Sequence, residues 1–152
     1  MYKRLLVAVD GSEHSYKALD HAVAIAEKFG SELILLAVIS RFIIPTFASP
    51  GLPQGINATT YYFQYQDNMK KFYQDILTDL ETRLSSEHPD LNVRTILKEG
   101  RPSLNIVDVA ENEVCDLIVM GSRGMGCIMG WILGSTSRMV VDSCIKPVVI
   151  IK

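Results

Sequence analysis

Apolar and polar positions fall into two alternating rhythms along the 152-residue chain. Short continuous apolar runs recur: Leu5-Leu6-Val7-Ala8-Val9, then Leu33 to Ile39, then Leu117-Ile118-Val119-Met120 after Asp116, then Val148-Val149-Ile150-Ile151 after Pro147. Runs of this kind suit strands buried on both faces, the mark of a parallel sheet. Residues 92–97 (Asn-Val-Arg-Thr-Ile-Leu) instead alternate polar with apolar, as an edge or half-covered strand does.

Between these runs the spacing becomes helical. Residues 13–29 carry Ala18, Ala22, Ile25, Ala26 and Phe29 on one face, with Ser12 as N-cap and Gly30 as C-cap. Residues 62–87 place Tyr65, Met69, Phe72, Ile76, Leu80 and Leu84 on one stripe. Residues 103–114 place Ile106, Val107, Ala110 and Val114 likewise, entered through Pro102, and a short helix fits 136–143. The order β-α-β-α-β-α-β-α-β predicts an α/β domain spanning 1–152, an open parallel sheet with right-handed crossovers and helices on its faces.

Residues 40–61 break the rhythm. They hold Pro45, Pro50, Pro53, Gly51 and Gly55 among Phe42, Ile43, Ile44 and Phe47. A structureless connection beyond about 12–15 residues is usually functional or disordered. Its position after the second strand, at the carboxyl edge of the sheet, leaves two readings open: a lid or partner-binding segment, or a mobile insertion.

Composition narrows the class. Lys+Arg 15 against Asp+Glu 17 gives a net charge of -2, so no basic field points to nucleic acid. With 48% hydrophobic and 21% charged residues the chain is too apolar for disorder. No apolar run approaches the ~20 residues that span a bilayer, and the N-terminus lacks a signal-peptide cleavage site. A soluble cytoplasmic domain is expected. Cys115, Cys127 and Cys144 are far apart and odd in number, and are expected as buried small apolar residues. His14, His21 and His88 add no metal spacing, so no metal is expected on protein ligands alone.

The candidate chemistry is glycine-rich. Gly121-Ser122-Arg123-Gly124-Met125-Gly126 follows the fourth strand, then Gly130, then Gly134-Ser135-Thr136-Ser137 before the last helix. Glycine lets main-chain N–H groups face an anion, and a helix start adds unpaired donors and partial positive charge. Ser135, Thr136 and Ser137 add hydroxyls, and Arg123 a charge-assisted contact. The alternative is that these glycines only make tight turns and Ser135 only caps a helix. Asp10, ending the first strand beside Gly11, suits ribose hydroxyls, an adenine amino group or a phosphate-bound magnesium, or else an N-cap or turn.

Familiar nucleotide fingerprints fail. Neither Gly126 nor Gly134 is followed by lysine, so the G-x-x-x-x-G-K-(S/T) loop is missing. Gly124-x-Gly126 is followed by glycine at 130 and sits after the fourth strand, so a dinucleotide fingerprint is weak. A phosphoacceptor receiver is disfavoured too, because Asp10 has no adjacent acid and the third strand runs into Lys98-Glu99-Gly100. No nucleophilic triad or paired carboxylates share a plausible location.

The spacing Gly121-x2-Gly124-x9-Gly134-Ser135 resembles the G-2x-G-9x-G-(S/T) ATP-binding motif of the universal stress protein family. The stretch Leu5 to Ser12 is similar to its first strand and turn. Gly100-Arg101-Pro102, the stretch Asp116 to Gly121, and Cys144 to Ile150 are similar to its later elements. The resemblance implies a Rossmann-like fold, related to the adenine nucleotide alpha hydrolases, with strand order 3-2-1-4-5. It implies that Ala8, Val9 and Asp10 meet adenine and ribose and that the Val38 main chain reads the adenine edge. Met120, Gly121 and Gly124 would lie against ribose and phosphates, with Gly134, Ser135 and Thr136 on the phosphates. It also implies a homodimer through antiparallel last strands, with Val148, Val149 and Ile150 at the interface, which would cover an apolar edge.

The leading expectation is a dimeric ATP-binding regulator of a stress response, with Mg carried by the nucleotide and a protein partner at 40–61. The alternatives are a slow ATP-hydrolysing enzyme and a nucleotide-free dimeric interaction module.

Overall fold

A computed structural model describes residues 1–41, 58–125 and 133–152. Most of the expected insertion (42–57) and residues 126–132, with Cys127, Gly130 and Trp131, lie outside the described residues. The elements are β1 (Arg4–Ala8), α1 (Glu13–Phe29), β2 (Glu32–Ser40), α2 (Ala58–Glu87), β3 (Val93–Gly100), α3 (Pro102–Asn112), β4 (Leu117–Gly121), α4 (Ser135–Ser143) and β5 (Val148–Ile151). The five strands form one parallel sheet in the order β3-β2-β1-β4-β5, with Val7 flanked by Leu35 and Val119. The α/β fold and its strand order are therefore those expected.

Strand alternation divides the core into two layers. Leu5, Val7, Leu33, Leu35, Leu117 and Val119 face α1 and α2, where Ala18, Leu19, Ala22, Leu77, Leu80 and Leu84 meet them. Leu6, Ile34, Leu36, Ile118 and Met120 face the other side, against Ile106, Val109 and Ala110 of α3 and Val140 of α4. Each fully buried Leu or Ile contributes about 1.5–3 kcal/mol through loss of apolar surface. With both faces covered, β1, β2 and β4 need no polar alternation, which is why they read as unbroken apolar runs.

Local chemistry sets the helix ends. Ser12 caps α1 by accepting a hydrogen bond from Ser15 N at 3.2 Å, and Gly30 closes it in the left-handed region at φ 64°. Helix α3 begins at Pro102 as expected but stops at Asn112, before Val114. Val114 adopts φ 53°, and Cys115 N donates to Ala110 O at 2.8 Å, the hydrogen bond of a Schellman ending. A glycine usually occupies that left-handed position; here a β-branched residue does.

Two expectations need correction. Helix α2 starts at Ala58, four residues before 62, so 58–61 belong to it rather than to the insertion, while Ser40 belongs to β2. The inward stripe of α2 also differs. Leu84, Leu80 and Leu77 are buried and Tyr73 packs against them, at steps of four, three and four, whereas Phe72 is 40% exposed. A strict step of four drifts around a helix of 3.6 residues per turn, and Phe72 is carried off the buried face.

The amino edge of the sheet is tied by charge. Glu32 accepts from Arg4 Nε at 2.9 Å and from Arg94 Nε at 3.3 Å, and Arg94 Nη2 reaches Glu113 at 2.7 Å. Asp116 accepts the main-chain N–H of Lys3 at 2.6 Å and of Arg4 at 3.1 Å. Cys115 is buried, and that burial pushes its thiol up to about 11; Cys144 is half-buried.

Candidate functional site

The direction in which successive strands are added reverses at β1: β2 and β3 lie on one side, β4 and β5 on the other. In open α/β sheets the crevice outside the strand ends at such a reversal is where ligands bind. A crevice of about 590 Å³ opens there. It is lined by Ala8, Val9, Asp10, Val38, Met120, Gly121, Gly124, Gly134, Ser135, Thr136 and Ser137, so the structure brings all of these sequence-derived residues together. Arg123 is not in the lining. Its Nε is buried without a hydrogen-bond partner among the described residues.

The floor and the walls differ in chemistry. Ala8, Leu36, Val38, Ile106 and Met120 form an apolar floor between β1, β2, β4 and α3. The start of α4 forms one wall. Gly134 is its N-cap and makes no side-chain capping bond, so the first amides of the helix, which have no intrahelical acceptor, carry their partial positive charge into the crevice. Ser135 is exposed and Thr136 half-buried. Ser137 is buried, and its hydroxyl donates to Gly121 O at 2.9 Å, fastening α4 to the end of β4.

Asp10 forms the junction of the site. Its Oδ1 accepts from Ser12 N at 3.0 Å and Ser12 Oγ at 2.6 Å, which makes it the turn residue preceding the Ser12 cap. Its Oδ2 accepts from Met125 N at 3.1 Å, joining the β1 turn to the chain after β4. A carboxylate has about four lone-pair sites, so these bonds leave acceptor capacity toward the crevice. Gly11 turns at φ 86° and has no Cβ where Ile76 of α2 would meet one at 3.0 Å. Gly121 is equally constrained, since a Cβ there would lie 2.8 Å from the main chain of His14.

One crevice residue escaped sequence reasoning for an identifiable reason. Tyr73 of α2 lines the crevice together with Ser40 and Asp10. Burial first, and then the Asp10 carboxylate, hold its phenol above the usual range. The signal was the 4-3-4 spacing from Leu84 back to Tyr73. Pro102, Arg138 and Met139 complete much of the rim. Among the described residues no three His, Cys, Asp or Glu gather as metal ligands, and no helix is long and apolar enough to cross a membrane.

An open α/β sheet with a glycine-framed crevice at its reversal point defines a class of small-ligand-binding domains, and comparison with known proteins makes the class specific. The chain belongs to the universal stress protein family, whose model matches residues 1–152. It is 30% identical over 153 residues to Universal stress protein YxiE of Bacillus subtilis (strain 168), covering 100% of both chains. The structure of universal stress protein UspA from Lactobacillus plantarum matches with TM-score 0.83 and 26% identity over 99% of this chain and 98% of that one. A universal stress protein in complex with cAMP has the same fold, with TM-score 0.70 and 23% identity over 99% of this chain and 97% of the other.

Proposed function

We propose that this universal stress protein is an ATP-binding regulator that works as a dimer in a stress response. One observation carries the reading. The carboxylate of Asp10, the glycine at 124 and the uncapped start of α4 at Gly134–Thr136 share one crevice over an apolar floor. Adenine fits the floor at Ala8, Val38 and Met120, the sugar lies at Asp10, and the phosphates meet the α4 amides with Ser135 and Thr136. The residues fit magnesium carried by the nucleotide, which would neutralise phosphate charge; Asp10 is the carboxylate of the crevice lining. Gly124 supports the fit, because a side chain there would invade the space in front of Asp10.

Regulation requires that ATP bind two states with different affinity, since a ligand shifts an equilibrium only by that difference. The segment 41–57, which follows the crevice residue Ser40 and precedes α2, is assigned the partner-binding role. Dimerisation is supported by β5, which among the described residues pairs with β4 alone and leaves its other edge open. Its side chains already serve the core, Val149 in one layer and Val148 and Ile150 in the other, so the main chain is what it offers a second copy.

Calorimetric titration of ATP with magnesium tests the reading, using the protein and its Gly124→Val/Gly134→Val variant. The expected result is saturable one-site binding that the variant loses by at least tenfold. Equal binding by both, or binding by neither, overturns it. Rapid multiple turnover of ATP, abolished by Asp10→Ala, would replace the regulator with an enzyme.

A further inference from the structure

The crevice holds one polar aromatic group with no assigned task. Tyr73 reaches it from α2, a helix whose other buried residues serve the opposite core layer. The ring is anchored by its edge-to-face contact with Phe72, at 5.3 Å between centroids, and by packing on the Leu77–Leu80 layer. Its hydroxyl has no hydrogen-bond partner among the described residues. Asp10 is near enough to act on it electrostatically, yet no hydrogen bond joins the two. A donor and an acceptor therefore line the same crevice without bonding to each other, and each is available to a ligand there.

We propose that Tyr73 is a specificity-determining residue that, together with Asp10, reads the sugar hydroxyls of a ribonucleotide bound in the crevice. A ribose hydroxyl both donates and accepts, so it bridges the pair: it donates to the Asp10 carboxylate and accepts from the Tyr73 phenol. The phenol is suited to this because a tyrosine hydroxyl is protonated at neutral pH and can donate. The arrangement selects ribose over deoxyribose. A nucleotide lacking the bridging hydroxyl forfeits the contact to the Tyr73 phenol and the remaining acceptor site of Asp10, whose other lone pairs are held by Ser12 and Met125. The inference rests on the ATP-binding reading above and adds to it a choice of sugar.

The test compares ATP, 2′-deoxyATP and 3′-deoxyATP, each with magnesium, on the full chain and on its Tyr73→Phe variant. Phe keeps the ring packing and removes only the hydroxyl. The wild type is expected to bind ATP roughly three- to tenfold more tightly than at least one deoxy analogue. Tyr73→Phe is expected to lose that same factor for ATP and to leave the discriminated analogue unchanged. The inference is overturned alone if the wild type binds all three equally, or if the variant matches wild type for ATP. A uniform loss for all three ligands also overturns it, because that marks a packing effect. Failure of the wild type to bind ATP at all removes the ATP-binding reading and this inference with it.

Discussion

Gly124 and Asp10 approach so closely that a Cβ on the glycine would stand 2.5 Å from Asp10 Oδ2. The carboxylate cannot swing away freely, because Ser12 holds its Oδ1 and Met125 N its Oδ2. Gly124→Ala is therefore expected to tilt Asp10 and weaken ATP binding by about tenfold, roughly the worth of one charge-assisted hydrogen bond. The fold should persist, since Gly124 is at the surface. Calorimetry paired with urea unfolding separates the two effects; an unchanged ATP affinity would remove Gly124 from the binding account.

Gly121 answers to a different constraint. A Cβ there would meet main-chain atoms of His14 at 2.8 Å, and a helix backbone does not yield as a side-chain tip does. Gly121→Ala is expected to destabilise the protein by about 1–3 kcal/mol, the usual cost of overpacking. A urea midpoint equal to wild type would contradict the contact.

Val114 sits where a helix ending favours glycine, at φ 53° and 62% exposed, so its side chain returns little burial for the strained backbone. The left-handed conformation costs an L-residue roughly 1–2 kcal/mol. Val114→Gly is expected to stabilise by about 1 kcal/mol and raise Tm by about 2–4 °C, as read by thermal unfolding. A lower Tm would show that unfolded-state flexibility outweighs the strain.

Acid stability depends on the amino edge. Main-chain N–H groups of Lys3 and Arg4 hold the Asp116 carboxyl below its usual value, and hydrogen bonding to Arg94 does the same for Glu113. A carboxyl lowered by folding stabilises fully above its unfolded value, near 4, and that stabilisation is lost as pH falls through the lower folded value. Asp116→Asn is thus expected to be less stable than wild type at pH 7 and to narrow the gap toward pH 3. Urea midpoints across that range provide the check. A constant gap would place the effect of Asp116 outside its charge.

The β5 edge makes its own prediction. Pro147 O and Ile151 O accept from Ile118 N and Ser122 N of the β4 side, so by strand alternation Val148 and Ile150 direct their main-chain groups outward. Ile150→Pro removes an outward N–H while sparing the β4 ladder, and is expected to shift dimer to monomer in sedimentation velocity with little change in circular dichroism. A dimer that survives would locate the interface elsewhere.

Much of this molecule is legible in its sequence because the governing interactions are local or periodic. Leu5 to Val9 and Leu33 to Ile39 announce doubly covered strands, and Ser12 and Gly30 bracket α1 through capping geometry that involves only neighbours. Asp10, Gly124 and Gly134 were recognisable through spacing shared with a family. What escaped depends on how separate elements meet. Tyr73 was hidden because Phe72 fits an equally plausible stripe, and only packing on Leu77 and Leu80 decides between them. The fate of the Ser137 hydroxyl and of Arg123 was likewise invisible. Each depends on where α4 and the end of β4 come together, which no spacing within one segment encodes.

The guanidinium and carboxylate lattice of Arg4, Glu32, Arg94 and Glu113 lies at the end of the barrel-free sheet opposite the crevice. Strand alignment is thereby anchored far from where ligands arrive. The rim can accordingly exchange residues such as Tyr73, Ser135 or Thr136, and so drift in ligand preference, while the scaffold keeps its registration.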